Sequence, residues 1–251
     1  MTAPLFRLAA GTLTGSGPGK LVRLDGPEGH HAARVLRVRV GDVILVADGS
    51  GAVGQGRVRR AHEGVVEAVL EALGPGADAP ARSGPRLVLI QALIKGGRAE
   101  SAVEAATELG ADEVVAWQAQ RCVVVWRDDR AVRSLAKWAG AAAAATKQAR
   151  RATAPVVSGP VDTAALLERI RPADLALVLH EDATEPLATV VPPDDGEVII
   201  VVGPEGGITS EERHLMGQAG GRQVRLGPHV LRSGTAGPAA LAVLSALARW
   251  R

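Results

Sequence analysis

Residues 201–212 read "VVGPEGGITSEE". An apolar run from Val198 to Val202 stops at Gly203-Pro204-Glu205-Gly206-Gly207, and Thr209 and Glu212 follow at the spacing of a helix capping box. A strand, a glycine turn and a helix start can wrap backbone amides around a ligand. Phosphate is a poor candidate. A P-loop needs G-x-x-x-x-G-K-[ST], with a lysine to reach the phosphates. This turn has no lysine, and Glu205 at its centre would repel an anion. The dinucleotide fingerprint G-x-G-x-x-G opens the first βα unit of its domain, whereas this turn lies late and lacks the spacing. The stretch "GSGPG" at 15–19 follows no strand and reads as a plain loop. Residues 203–207 suit a neutral or cationic small ligand. They also suit a tight turn in which Glu205 is tied to backbone amides.

Two more segments share the design. Residues 226–235, "LGPHVLRSGT", place Gly227-Pro228, Arg232 and a helix start after a strand, and Leu179-His180-Glu181 ends another strand. Three such loops can form one pocket, because ligands of open α/β sheets sit beyond the carboxyl ends of the strands.

The elements that must carry these loops are legible in outline. Residues 1–73 are β-rich, with short alternating segments split by the hairpin-type pairs Gly41-Asp42 and Asp48-Gly49, which suggests a small barrel. Residues 74–86, "GPGADAPARSGPR", form a linker. From 87 to 251 apolar strands alternate with helices. Strands are expected at 87–94, 114–117, 175–179, 198–202 and 224–226. Helices are expected at 97–109, 130–151, 210–219 and 236–248. This order predicts an α/β domain with a mostly parallel sheet and helices on both faces.

The 251 residues carry 47 % apolar side chains, and no apolar run reaches the roughly 20 residues needed to cross a bilayer. The N-terminus lacks the pattern of a signal peptide. One cysteine, Cys122, excludes an intrachain disulfide, and six scattered histidines suggest no metal site. We therefore expect a cytoplasmic protein with no membrane segment and no metal. The net charge is +2, yet residues 121–151 hold eight Lys/Arg against Asp128 and Asp129, and Arg34, Arg37 and Arg39 form a second group. Such clusters either bind a polyanion or simply face solvent. With one Phe, four Trp and no Tyr, the composition argues against a base-stacking sheet of the RRM kind, so nucleic-acid binding would rest on charge and shape.

The segments "ATELGADEVVAW", "RCVVVW", "KQARR", "GPEGGIT" and "LGPHVLRSGTAG", in this order after "RVLRVRVGD" and "ADGSG", resemble the 16S ribosomal RNA uracil-N3 methyltransferases, the small-subunit methyltransferase E type of the SPOUT superfamily. The resemblance spans nearly the whole chain. It implies a PUA-like N-terminal barrel and a C-terminal domain tied in a trefoil knot. It also implies S-adenosylmethionine held in the knot loops, a homodimer, and N3-methyluridine in 16S ribosomal RNA of the small subunit as the product. By position, Leu179 and His180 would form one wall of the cofactor site. Gly203, Pro204, Glu205 and Gly206 would form the second, and Leu226, Gly227, Val230, Leu231, Arg232 and Thr235 the third. Related alternatives are a knotted methyltransferase acting on a ribose 2'-hydroxyl, and a non-catalytic RNA-binding protein.

Methylating uracil N3 requires removal of its proton and stabilisation of the resulting anion. Arg232 is the candidate stabiliser, or else an anchor for a phosphate or carboxylate. Glu205 either faces the cationic cofactor or braces the turn. No general base is evident. Many relatives carry an acid where this chain has Gly234, and a glutamine-lysine pair where it has Glu104-Ala105. RNA contacts are expected from Arg34 and Arg37 in the barrel, and from Lys95, Arg98, Arg121, Gln148 and Arg151.

Overall fold

A computed structural model describes residues 3–75 and 84–250. The chain forms two compact units, Met1–Ala81 with Thr146–Ala154, and Arg82–Ala145 with Pro155–Arg251. Most of the expected linker, 76–83, lies outside the described residues.

The first unit is a five-stranded sheet in the order β1-β3-β4-β5-β2. Its strands are β1 (Leu5–Arg7), β2 (Leu21–Leu24), β3 (Val43–Ala47), β4 (Ala52–His62) and β5 (Val65–Pro75). Inward residues alternate along each strand and meet in a core of Phe6, Val22, Leu24, Ile44, Val46, Val58, Val66, Ala68 and Leu70. Bulges in the β4–β5 ladder at Gln55/Gly56 and Val58/Arg60 bend the long strands so that they curl. The Asp48-Gly49 turn joins the antiparallel pair β3–β4, as expected. Gly41-Asp42 does not join two strands. The segment before it is helical only to Val35, α1 (Gly26–His30) running into a π-helical turn (His31–Val35), residues 36–40 are irregular, and Asp42 accepts a hydrogen bond from the Arg39 amide at 2.8 Å. The alternation in "RVLRVRV" therefore marks a helix end, with Val38 buried and Val35 and Val40 exposed.

The second unit is a six-stranded sheet in the order β11-β9-β10-β6-β7-β8, parallel throughout. Its strands are β6 (Arg86–Ala92), β7 (Glu113–Trp117), β8 (Val156–Val161), β9 (Leu175–Leu179), β10 (Glu197–Val202) and β11 (Gly221–Val224). Helices α2 (Arg98–Glu108), α3 (Asp128–Gln148) and α6 (Ser233–Ala248) pack on one face, and α4 (Thr163–Ile170) and α5 (Ser210–Gln218) on the other. With both faces covered, the central strands are continuously apolar rather than alternating. The expected helix 130–151 ends at Gln148, because Arg150 takes a left-handed φ of 56°. The last strand lies at 221–224 rather than 224–226, since beyond Val224 only an isolated Pro186–Arg225 bridge continues the ladder. Strand β8 and helix α4 were not read from the sequence. Pro160 breaks the strand pattern in "VVSGPV", and it is tolerated because β8 is an edge strand.

Near the amino ends of the strands, the buried Glu113 carboxylate accepts hydrogen bonds from Arg169 at 2.8 and 2.9 Å and from Arg86 at 2.6 Å. Burial pushes this carboxyl up, but the two guanidiniums outweigh burial and hold it at about 2, against 4.5 when free. The folded value is depressed, so its contribution is complete above the unfolded value. It is lost as pH falls from about 4.5 toward 2, at most about 3 kcal/mol in all. Thermal melts should fall steeply across that window. Glu113→Gln should melt lower at neutral pH and show a flatter acid slope. An unchanged slope would show that another carboxylate governs acid unfolding.

Candidate active site

Strands β9, β10 and β6 are adjacent and parallel, so the loops leaving Leu179, Val202 and Ala92 emerge at the same end of the sheet. There they line a cleft of about 730 Å³. Leu179 and His180 come from the β9 end, Gly203–Ile208 from the β10 end, and Val230–Gly234 from the segment entering α6. Ile94, Arg98 and Arg121 complete the rim. A smaller hollow beside it is lined by Leu226, Gly227, His229 and Val230 together with Leu179 and His180. The three loops expected from their strand-end design thus converge.

The β10 turn is shaped by close approaches. A Cβ on Gly203 would lie 2.6 Å from Ile208 Cγ1, and one on Gly206 would lie 3.0 Å from Arg121 Cβ and 3.1 Å from its carbonyl oxygen. The following helix α5 has the expected capping box. The Thr209 hydroxyl accepts from the Glu212 amide, and the Glu212 carboxylate accepts from the Thr209 amide. Glu212 does more than the capping pattern implies. It is fully buried, and its Oε1 also accepts from the Gln120 amide at 2.9 Å and the Thr163 hydroxyl at 3.0 Å. One carboxylate therefore ties the β7 exit loop and α4 to the cleft turn.

Glu205 is exposed, and its Oε1 accepts from the Lys95 amide at 3.2 Å. Arg121 donates to the Gly206 carbonyl at 3.2 Å. The turn is thus braced from both sides by the β6 and β7 exit loops. At α6, the Ser233 hydroxyl donates to the Gly203 carbonyl and accepts from buried Gln91 Nε2 at 3.0 Å. Glu181, read with Leu179 and His180 as a strand-end loop, lines the cleft, whereas Ser233, Gln91, Asp182 and Arg213 were given no role from the sequence. His180 is largely buried, and its Nδ1 accepts from the Asp182 amide at 3.2 Å.

Thr235 lines neither hollow. It is exposed in the first turn of α6, its amide donating to the Arg232 carbonyl at 2.8 Å. Arg232 lines the cleft and caps α6 with an extended backbone. Gly234 sits where a Cβ would meet the Arg98 carbonyl at 3.3 Å and Ile94 Cδ1 at 3.4 Å, so an acid there would crowd the α2 entrance. Arg98 and Arg121 reach the cleft, and Lys95 with Arg98 lines an adjoining recess of about 480 Å³. Arg34, Arg37 and Gln148 are exposed in the first unit, whereas Arg151 is only 8 % exposed. So little exposure makes Arg151 a poor RNA contact.

The cleft suits a compact ligand with both apolar and charged parts, since Arg98, Arg121, Arg213 and Arg232 line it as well as acids. Leu179, Ile94, Val230 and Leu231 offer apolar walls, and Glu181, Asp182 and Glu205 offer carboxylates. Among the described residues no group of side chains could hold a metal ion, and no helix is long and apolar enough to cross a membrane.

Comparison with known proteins agrees with this architecture. An RNA methyltransferase domain matches residues 82–245, and an RNA methyltransferase PUA domain matches residues 24–71. The ribosomal RNA small subunit methyltransferase E of Mycobacterium tuberculosis is 40 % identical over 92 % of this chain and 89 % of its own length. The chain belongs to the ribosomal RNA small subunit methyltransferase E family. The enzyme of that name from Bacillus subtilis is 28 % identical over 88 % of each chain. The crystal structure of a family member from Neisseria gonorrhoeae, bound to S-adenosyl methionine, superposes with a TM-score of 0.82 at 27 % identity over 98 % of both chains. A neighbour from Legionella pneumophila, solved with the cofactor SAM, gives 0.81 at 27 % identity over 98 % of both chains. The fold is therefore the family's, a curled PUA sheet and a parallel α/β RNA methyltransferase domain.

Proposed function

We propose that this protein methylates N3 of a uridine in 16S ribosomal RNA, using S-adenosylmethionine bound in the cleft at the carboxyl ends of β9, β10 and β6. The observation that carries the reading is the convergence of the three motif loops on that cleft, in a chain of this family. The cofactor supplies a methyl group made electrophilic by a sulfonium. Leu179, Val230 and Leu231, with the smaller hollow at Leu226 and Gly227, would hold its adenosine, and the carboxylates of Glu181 and Asp182 would face its cationic part. Arg232 would stabilise the uracil anion through O2 or O4. The trefoil knot, the homodimer and the cytoplasmic setting are proposed from the resemblance, and sedimentation of the purified protein tests the dimer.

The deciding experiment is nucleoside mass spectrometry of small-subunit RNA incubated with the protein and S-adenosylmethionine. N3-methyluridine is the expected product. A 2'-O-methylated nucleoside would overturn the base target. Absence of both product and cofactor binding would favour a binding protein instead.

Arg34 and Arg37 are proposed to meet RNA phosphates. Each Arg→Ala change should weaken RNA binding similarly across sequences and reduce the salt slope of log K by about 1. A salt titration that leaves the slope unchanged in both variants would remove the first unit's basic patch from the interface.

A further inference from the structure

We propose that Glu205 accepts the N3 proton of the target base. The proposal rests on the uracil-N3 reading above and names the proton acceptor that the motifs leave open. The cleft and the neighbouring recess share two residues, Arg98 and Glu205. The recess is otherwise lined by Lys95, Gly96, Gly97 and Val123, so its side-chain charge comes from two cations and one carboxylate. Lys95 and Arg98 suit the phosphates flanking a nucleotide. A base whose backbone is held there and whose ring points toward the cleft must pass Glu205.

The carboxylate is prepared for that task. Its Oε1 is held by the Lys95 amide, which fixes its orientation. Its Oε2 has no hydrogen-bond partner among the described residues and remains available to an incoming N–H. The other carboxylates of the cleft, Glu181 and Asp182, lie on the β9 side and do not line the recess, and Glu181 also lines the smaller hollow beside Leu226. Residue 234, in the first turn of α6 beside the cleft, is glycine and offers no carboxylate. Arg232, which lines the same cleft as Glu205, supplies the cation for the charge that develops on O2 or O4 as the proton leaves.

In the step, the N3–H bond breaks and the proton goes to Oε2 of Glu205. The electron pair left on N3 forms the bond to the incoming methyl carbon. The pair of the old carbon–sulfur bond stays on sulfur, which loses its positive charge. Glu205 is exposed and returns the proton to water afterwards.

Glu205→Gln separates this role from bracing, because glutamine keeps an acceptor oxygen for the Lys95 amide but cannot take a proton. Single-turnover methylation of small-subunit RNA by this variant should be slower by about 100-fold. S-adenosylmethionine affinity by calorimetry and the melting temperature should stay close to those of the unaltered protein. RNA carrying 5-fluorouridine, whose N3 proton is more acidic, should recover part of the lost rate. A Glu205→Gln rate within about threefold of the unaltered protein would overturn the proposal. So would a loss matched by weaker cofactor binding and unmoved by 5-fluorouridine, which would leave Glu205 as a brace only. If the unaltered protein makes no N3-methyluridine, the functional reading fails first, independently of this variant.

Discussion

Gly203→Ala should weaken S-adenosylmethionine binding by about tenfold or more while leaving the protein folded. The added Cβ would stand 2.6 Å from Ile208 Cγ1, inside contact distance. Ile208 cannot easily yield. It is 4 % exposed, packed with Ile199, Val201 and Met216, and β-branched, so its χ1 is stiff. The strain, about 1–3 kcal/mol for overpacking of this kind, must move the softer partner. That partner is the turn itself, with Gly203, Pro204 and Glu205 facing the cleft. A shift of the turn also disturbs the Ser233 hydroxyl, which donates to the Gly203 carbonyl and so ties α6 to the site. Calorimetry with the cofactor checks the loss. The double variant Gly203→Ala/Ile208→Ala checks its cause, because removing Cγ1 removes the clash. Cofactor binding should improve in the double variant relative to Gly203→Ala, although Ile208→Ala alone costs stability, about 2–5 kcal/mol for a buried isoleucine. Normal cofactor binding by Gly203→Ala would show that the turn does not contact the ligand.

The features that were legible in the sequence are local ones. The capping box of Thr209 and Glu212 is an i, i+3 signal, and it appears as read. Ala99, Ala102, Val103 and Ala106 share the buried face of α2 because helical spacing dictates it. The apolar runs of β9 and β10 are the mark of strands buried on both sides. What was missed depends on partners distant in the chain. Nothing near Ser233 announces that its hydroxyl will meet the carbonyl of Gly203 or the amide of Gln91. Arg151 looks like its basic neighbours until burial distinguishes it. Pro160 hid β8, since edge position is a property of the sheet and not of the strand. The pairing of the two glycine loops was readable as a shared design, but their common end of the sheet follows only from the parallel strand order β11-β9-β10.

Glu212 is where local and distant constraints meet, and its loss should be the most damaging single change in the second unit. Four donors converge on its carboxylate. The Gln120 amide and the Thr163 hydroxyl meet Oε1, and the Thr209 amide and hydroxyl meet Oε2, at 2.9 to 3.0 Å. The side chain is fully buried, so water cannot replace it. Glu212→Ala leaves these donors unsatisfied, at about 1–3 kcal/mol for each one that stays buried and unpaired. We expect a total near 3–5 kcal/mol, the upper range for a single substitution. Glutamine should rescue little. It retains one acceptor oxygen, while its amide nitrogen would point hydrogens at the donors that met the other. Glu212→Gln should therefore melt much closer to Glu212→Ala than to the unaltered protein. Both should also bind S-adenosylmethionine more weakly, because the helix that anchors the 203–207 turn has lost the carboxylate half of its capping box and its ties to Gln120 and Thr163. Thermal melts and calorimetry on the two variants test this. A Glu212→Gln protein with normal stability and normal cofactor affinity would mean that the four contacts do not hold the turn.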